Sequence, residues 1–312
     1  MRSAAEVAAA ITRLSIRGAP LIGVAAGYGV ALELARDPDA LPRACETLVA
    51  ARPTAVNLVH AVDRVRQAAS ASAPGRPRVA AALAQARAIH ADEAASSFAL
   101  GRHGADQLAG CRRILTHCNT GALAAPGRGT GLAVIAELAD RGELELVLVS
   151  ESRPLLQGAR LTVYELGRLG IAHELIVDGA AAGLIAAGEV DAVVVGCDRV
   201  AANGDVANKV GTYSHALAAA AGGIPFIVAG PCSTIDRDCA TGAEIAIEQR
   251  DADEVRRVPS GGAGGSYEVT VAGTPCRNPA FDLTPAALIT ALVTERGVAK
   301  PVTGGAVLGL LG

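Results

Sequence analysis

The stretch DAVVVGCDRVAANGDVANKVGTYSHALA, residues 191–218, decides the fold class of this chain. The β-branched run Val193–Val195 is typical of a short strand buried on both faces, as strands are in parallel sheets covered by helices. A glycine ends the run and a polar loop follows. Asn208 and Lys209 then open a helical pattern that continues through Leu217, so the sequence predicts a strand, a loop and a helix in that order.

Polar residues follow this strand where parallel sheets bind ligands. In an open parallel sheet, ligands bind beyond the carboxyl ends of the strands, where the next helix begins. Asp198 lies at the strand end, where an acid is often held, and Lys209 adds a full charge to the expected helix start, which itself favours anions. The alternative is a surface loop before a capped helix, and this stretch alone does not separate the two.

Composition narrows the class of protein. The chain has 312 residues, of which 51% are hydrophobic, and it is rich in alanine and glycine, as expected of an α/β protein. Aromatic residues make up 2% and tryptophan is absent, which argues against stacking platforms for single-stranded nucleic acid. The net charge is −3 and the pI is near 6.1, so no basic patch for nucleic acid is expected.

Cysteine usage and hydropathy indicate the compartment. The seven cysteines are scattered and form no CxxC pair, which favours a reducing cytoplasm and argues against a disulfide framework or a structural zinc site. We find no signal-peptide pattern and no apolar run of membrane-spanning length, so we expect a cytoplasmic protein with no membrane contact.

Residues 1–108 contain helical patterns and no strand pattern, which predicts a helical N-terminal domain. Two turns in it place an arginine beside a helix that starts with proline, Arg17-Gly18-Ala19-Pro20 and Arg52-Pro53-Thr54. A guanidinium on such a turn can bind a phosphate or a carboxylate. The alternative is that both arginines are ordinary surface residues.

Residues 109–312 alternate strand and helix patterns with short connections, which predicts a doubly wound parallel sheet. The strands are expected at 114–116, 144–150, 175–177, 193–195 and 224–229. Polar residues, including Gln157 at one strand-to-helix junction, follow these strands and should meet at one edge of the sheet.

The segment THCNTG after the first strand contains a candidate nucleophile. Cys118 is expected at the turn into a helix, where a thiol has a lowered pKa, although a small buried side chain is the alternative. We expect His117 to be packed or hydrogen-bonded. The glycine-rich segment 127–131 matches neither a Walker loop nor a dinucleotide fingerprint, so no nucleotide cofactor is expected.

Many segments, in order and across residues 5–298, together resemble the methylthioribose-1-phosphate isomerase branch of the initiation factor 2B family. That family also includes the regulatory subunits of translation initiation factor 2B and ribose-1,5-bisphosphate isomerase. The segments are IRGAP, RPTAVNL, THCNTGALA, ESRPLLQGARLT, GCDRVAANGDVANKVGTY, IPFIVAGPCSTID, EIAIEQRDADEV and NPAFDLTPAALITALVTERG.

The resemblance implies a cytosolic homodimer with a helical N-terminal domain and a Rossmann-like C-terminal domain. It implies conversion of an aldose 1-phosphate, 5-methylthioribose 1-phosphate above all, to the ketose 1-phosphate without a metal or nucleotide cofactor. Cys118 and Asp198 stand at the family's catalytic positions. The substrate-binding positions are Arg17, Gly18, Ala19, Arg52, Gln157, Asn208 and Lys209.

The chemistry of this reaction needs an acid and a means of moving hydrogen. Because phosphate blocks the anomeric oxygen, the enzyme must protonate the ring oxygen, and a carboxyl held protonated at Asp198 can do so. Cys118 either removes the C2 proton as a thiolate or shields a direct hydride shift from C2 to C1. Other hypotheses are an isomerase of 5-deoxyribose 1-phosphate or a 5-halogenated analogue, and a non-catalytic regulatory protein on this fold.

Overall fold

The computed structural model describes residues 1–52, 55–259 and 265–312. Pro53 and Thr54 of the second arginine turn lie outside these ranges. None of the described helices is long and apolar enough to cross a membrane.

Helices occupy the described part of the chain before residue 106. Prolines stand in the first turn of three of them, where a missing N–H costs nothing because that N–H has no helical partner. Ser3 begins the first helix by accepting a hydrogen bond from the Glu6 amide. The five helices are α1 (Ala4–Thr12), α2 (Ala19–Arg36), α3 (Leu41–Ala51), α4 (Val56–Ser70) and α5 (Arg76–Ala105).

Helix α2 is the centre of the helical part, and α1, α3, α4 and α5 all pack against it. Its glycines allow this packing. A Cβ atom on Gly23 would lie 2.7 Å from the carbonyl oxygen of Asn57, so only glycine lets α4 approach this closely. Leu34, Leu48 and Leu58 are fully buried in the resulting core.

Thirteen strands and six further helices occupy the described residues from 113 onward. The helices are α6 (Gly131–Asp140), α7 (Val163–Leu169), α8 (Ala181–Ala186), α9 (Thr212–Gly222), α10 (Asp253–Arg256) and α11 (Gly304–Gly309). The strands are β1 (Arg113–Thr116), β2 (Leu146–Ser150), β3 (His173–Ile176), β4 (Ala192–Val195), β5 (Arg199–Ala201), β6 (Val206–Lys209), β7 (Phe226–Ala229), β8 (Ile235–Asp236), β9 (Arg257–Pro259), β10 (Ser266–Glu268), β11 (Phe281–Thr284), β12 (Ala291–Thr294) and β13 (Gly297–Ala299).

The main sheet has seven strands in the order β13-β12-β7-β4-β1-β2-β3. Six are parallel, and β13 pairs antiparallel with β12 at one edge. The α/β class and the parallel sheet of the sequence analysis are confirmed. The five expected strands correspond to β1, β2, β3, β4 and β7, whereas β12 and β13 were not predicted.

Strand β4 is buried on both faces, as its valine run predicts. Val193 and Val195 pack into one apolar cluster, while Ala192 and Val194 pack into the cluster on the opposite face. All four residues have 0% exposure. Helices therefore cover both sides of the sheet, which leaves the strand ends as its open face.

A smaller four-stranded sheet, in the order β11-β6-β5-β8, follows β4 and corrects one expectation. Asn208 and Lys209 lie on strand β6, not at the start of a helix, and α9 begins only at Thr212. The strand forms because Lys209 pairs with Phe281 of β11. The Asn203-Gly204 pair in the β5–β6 turn is itself a hairpin signal that could have indicated the strand.

Candidate active site

The strand order reverses between β1 and β4, which is where open parallel sheets bind ligands. From β1 the chain builds β2 and β3 on one side, then returns to form β4 on the other side of β1. Such a reversal opens a crevice at the carboxyl ends of the two strands. Cys118 follows β1 and Asp198 follows β4, so both candidates lie at this crevice.

A cavity of about 630 Å³ opens at this point, lined by both the helical part and the sheet part of the chain. It brings together most of the residues singled out in the sequence. Those that line it are Arg17, Gly18, Arg52, Cys118, Gln157, Asp198 and Lys209. A smaller adjoining cavity is lined by Ala19 together with Arg52 and Asp198.

Cys118 is held in an uncommon backbone conformation. Its φ of 62° is left-handed, although it is not glycine. Its amide donates to Ser152 Oγ at 2.7 Å, and its carbonyl accepts from Thr162 Oγ1 at 2.6 Å. Thr162 ends a π-helical turn, Gly158–Thr162, a feature frequent at functional sites. These contacts fix the thiol at the cavity wall.

The expectation that Cys118 begins a helix is wrong. A loop follows it, and the next helix, α6, begins at Gly131. The cation beside the thiol comes instead from the helical part, because Arg17 Nη2 lies 3.7 Å from the sulfur. A guanidinium at this distance can stabilise a thiolate or another negative charge nearby.

Asp198 is a half-buried carboxyl that lines the cavity. Burial raises its pKa above the ordinary value. Among the cations that line the cavity, Lys209, Arg52 and Arg17 oppose that shift without cancelling it. Its backbone amide donates to the carbonyl of Ala207, which fixes the residue on the small sheet. A carboxyl in this state keeps its proton to higher pH and can act as an acid.

The three cations that act on Asp198 are each fixed by protein contacts. Arg17 Nη1 donates to Asn119 Oδ1 at 2.6 Å. Lys209 Nζ donates to the carbonyl of Ala280 at 2.9 Å and lies 5.1 Å from the centre of the Phe281 ring. These groups form a positive wall that is suited to an anion.

Arg52 Nη2 donates to Glu248 Oε2 at 2.6 Å. The guanidinium is therefore held from the sheet part of the chain, although Arg52 itself follows helix α3. Its side chain is only 16% exposed.

Gly18 and Ala19 bring the start of helix α2 to the cavity. Gly18 has a φ of 94°, and a Cβ atom there would lie 2.2 Å from the carbonyl oxygen of Ala124. No other residue fits this turn. The positive end of an 18-residue helix thus points toward the cavity beside Arg17.

The two expected amide side chains differ in their placement. Gln157 is buried in the cavity wall, and its Oε1 accepts no hydrogen bond from the described residues. Asn208 is absent from the cavity wall, and its amide donates to Thr212 Oγ1 at 3.0 Å. The structure therefore does not bring Asn208 together with the other candidates.

His117 is a packed histidine, as expected. Burial and the neighbouring His215 lower its pKa, so it is neutral. Its Nε2 lies 2.9 Å from the carbonyl oxygen of Val210, and its Nδ1 lies 3.2 Å from Ser152 Oγ. It thus connects the loop that carries Cys118 to the residue that follows Lys209.

Sequence reasoning missed several wall residues. Arg250 and Glu254 line the cavity, and the quoted segment EIAIEQRDADEV was their only signal. The apolar part of the wall was not predicted either, although all of its members except Leu14 lie in segments quoted above. They are Leu14, Leu123, Leu155, Leu161 and Phe281.

Within the described residues, no group of three or more His, Cys, Asp or Glu side chains could hold a metal ion. The positive charge in the described cavity wall comes from arginine and lysine side chains and from the start of helix α2.

Comparisons of the sequence and the structure with known proteins identify the family of this chain. Residues 15–301 match the family model of the initiation factor 2 subunit family. The chain belongs to this family. Among curated members, the methylthioribose-1-phosphate isomerase of Syntrophotalea carbinolica is 49% identical over 305 residues, covering 94% of this chain and 87% of that protein.

Two solved structures of the family superpose closely. The 5-methylthioribose 1-phosphate isomerase of Pyrococcus horikoshii OT3 has a TM-score of 0.88 at 38% identity, covering 99% of this chain and 87% of that one. The translation initiation factor eIF-2B, subunit delta, from A. fulgidus has a TM-score of 0.84 at 35% identity, covering 99% and 92%. The family therefore includes both proteins named as an isomerase and proteins named as translation initiation factors.

Proposed function

We propose that this chain isomerises an aldose 1-phosphate to the ketose 1-phosphate, with 5-methylthioribose 1-phosphate as substrate and a place in methionine salvage. The observation that carries the proposal is the pairing of Cys118 and Asp198 at the crevice between β1 and β4, in one cavity with Arg17, Arg52 and Lys209. Relatives at about half identity bear the name of this isomerase. A regulatory protein on this fold would not need the pair of Cys118 and Asp198, and both residues are present.

Asp198 supplies the first step. The anomeric oxygen carries phosphate, so the ring opens only when its own oxygen gains a proton as the bond from that oxygen to C1 breaks. The carboxyl of Asp198 donates this proton, because burial keeps it protonated above its ordinary range. The carboxylate left behind is stabilised by the cations of the wall.

The second step moves hydrogen from C2 to C1, and two routes achieve it. In one, the Cys118 thiolate removes the C2 proton to form an enolate and returns it to C1, while the C2 hydroxyl gives its own proton to the Asp198 carboxylate. In the other, hydride passes directly from C2 to C1 as the C2 hydroxyl gives its proton to the same carboxylate, and Cys118 shields the reacting carbons. Either route leaves a ketone at C2 and restores the acid. Substrate deuterated at C2 separates them: loss of the label to water indicates the enolate, and full retention indicates hydride transfer.

Substrate phosphate is held by the positive wall. Arg17, Arg52, Lys209 and the start of α2 at Gly18 and Ala19 surround the cavity from both parts of the chain. A ligand bridging these parts keeps the reacting carbons aligned over the acid and excludes water.

We propose that Gln157 and Asn208 bind sugar hydroxyls. The unpartnered Gln157 Oε1 supports its role, whereas Asn208 must first turn away from Thr212.

We also propose that residues 1–108 and 109–312 are separate domains and that the protein is a cytoplasmic homodimer. The change from helices to alternating strands after residue 105 supports the division. Exposed apolar side chains on and near β3, Leu169, Leu175 and Val177, support association of two copies. Sedimentation analysis of the purified protein measures the oligomeric state.

The test of function is turnover by the purified protein. We expect NMR to show conversion of 5-methylthioribose 1-phosphate to the ketose, at a higher kcat/KM than for 5-deoxyribose 1-phosphate or 5-halogenated analogues. A preference for one of these analogues would reassign the sugar. Sugar phosphate binding without turnover would support the regulatory alternative and refute the proposal.

A further inference from the structure

The segment EIAIEQRDADEV, residues 244–255, has no part in the reaction described above, yet its charged side chains meet the cavity. Arg250 and Glu254 line the wall. Glu248 is not among the residues that line the cavity, but it accepts hydrogen bonds from two arginines that do, Arg52 and Arg250.

These side chains form a chain of alternating charge. Arg52 Nη2 donates to Glu248 Oε2 at 2.6 Å, and Arg250 Nη1 donates to Glu248 Oε1 at 2.9 Å. Arg250 Nε in turn donates to Glu254 Oε2 at 2.9 Å. Both oxygens of Glu248 are thus used, each by a different arginine. All four side chains are between 16% and 26% exposed, so water screens them less than surface pairs.

The first consequence concerns the position of Arg52. This residue lies on the short connection between α3 and α4, and a long arginine side chain there would sample many rotamers. The bond to Glu248 engages only Nη2, so the rest of the planar group remains to bind an anion. Glu248 therefore selects one orientation of Arg52 before substrate arrives.

The second consequence concerns charge at Asp198. Three cations from three elements face this acid: Arg17 before α2, Arg52 after α3, and Lys209 on β6. Glu248 pairs directly with one of these cations, since Arg52 Nη2 donates to its Oε2 at 2.6 Å, and so offsets part of their charge. Burial is the main cause that raises the pKa of Asp198, and the charge of Glu248 acts in the same direction. Burial pushes the pKa of Glu248 itself upward, but Arg52 and Arg250 outweigh it, so Glu248 is ionised at neutral pH.

We propose that Glu248 is a positioning residue of this site, which fixes Arg52 for the substrate phosphate and offsets the cations around Asp198 so that the acid keeps its proton. The inference rests on the proposed function and adds a residue to it.

Two substitutions separate the two effects. Glu248→Asp keeps the charge but is one methylene shorter, so it cannot reach both arginines. We expect its KM to rise about tenfold, as for loss of one charge-assisted hydrogen bond, with the pH dependence of kcat unchanged. Glu248→Gln loses the charge but can still accept from one arginine. We expect the high-pH limb of its kcat profile to move to lower pH, because Asp198 then loses its proton more readily.

Each outcome decides one part of the proposal. A parental KM in Glu248→Asp overturns the positioning of Arg52, and an unmoved high-pH limb in Glu248→Gln overturns the charge effect. A merely structural role would lower the melting temperature of both variants and leave the limb in place.

A binding measurement separates failure of this inference from failure of the proposed function. The rise in melting temperature with inorganic phosphate should be smaller in Glu248→Asp than in the parent. If the parent turns over no sugar phosphate, the proposed function fails, and the phosphate measurement alone decides whether Glu248 positions Arg52. An equal rise in both proteins then overturns the inference as well.

Discussion

Replacing Asp198 by asparagine tests the centre of the mechanism. The change keeps the size and shape of the side chain and removes the proton that the ring oxygen requires. Groups acting as general acids typically contribute ~10²- to 10⁴-fold, so kcat should fall by that factor. The corresponding rise in the activation barrier is about 2.7–5.5 kcal/mol.

The same substitution should not destabilise the fold. The folded protein holds the Asp198 proton more tightly than the unfolded chain does, because burial raises the pKa of this carboxyl. Parent stability therefore decreases as pH rises from the ordinary carboxyl range through the raised pKa, whereas asparagine does not titrate. At pH 8 the variant should melt at or above the parent temperature, and the difference should shrink in acid.

Turnover of 5-methylthioribose 1-phosphate at pH 7 and melting temperatures at pH 5 and 8 provide the measurements. Asp238→Asn is the matched control, since Asp238 is exposed and lies outside the cavity. Turnover of Asp198→Asn within about tenfold of the parent would refute the role of this acid, because it falls below the general-acid range.

Three further predictions concern the thiol of Cys118, the site for substrate phosphate and the half-buried carboxyl of Glu93. Cys118→Ser should fold and lose ~10²- to 10⁴-fold in kcat, and a loss below about tenfold removes the thiol from the mechanism. Lys209→Met and Arg52→Ala should each raise KM and reduce the melting-temperature rise given by inorganic phosphate; a full rise in both places the phosphate elsewhere. Burial raises the pKa of Glu93 from 4.5 to about 7, so Glu93→Gln should be more stable than the parent at pH 8, by up to about 3 kcal/mol. In denaturant titrations this advantage should narrow at pH 5, and a constant difference contradicts it.

The fold class follows from local patterns that the sequence displays. A run such as Val193–Val195 has few alternatives to a strand buried on both faces, and prolines mark helix starts wherever they fall. These signals arise from backbone geometry and burial within a few residues. They therefore predict a strand or a helix start without knowledge of the segments that pack against it.

Strand pairings between segments that are distant in the sequence could not be predicted from local patterns. The helix expected at Asn208 and Lys209 proved to be strand β6, because its partner β11 is supplied by residues 281–284. Strands β12 and β13 were missed altogether, and Cys118 was expected at a helix start that lies at Gly131. The pairing of β6 with β11 and the loop path after Cys118 are tertiary features that local preference does not encode, although the Asn203-Gly204 turn was a local signal for the β5–β6 hairpin.

The sequence by itself picked out Cys118 and Asp198, since parallel strands bind ligands where they end and both residues follow such strands. Only the tertiary structure decided which charges surround them. Arg17 meets Asn119 across 102 residues of sequence, and Arg52 meets Glu248 across 196. Such contacts depend on how the helices pack against the sheet, and no local periodicity encodes that packing. The raised pKa of Asp198 has the same origin, because burial and neighbouring charge exist only once the chain has folded.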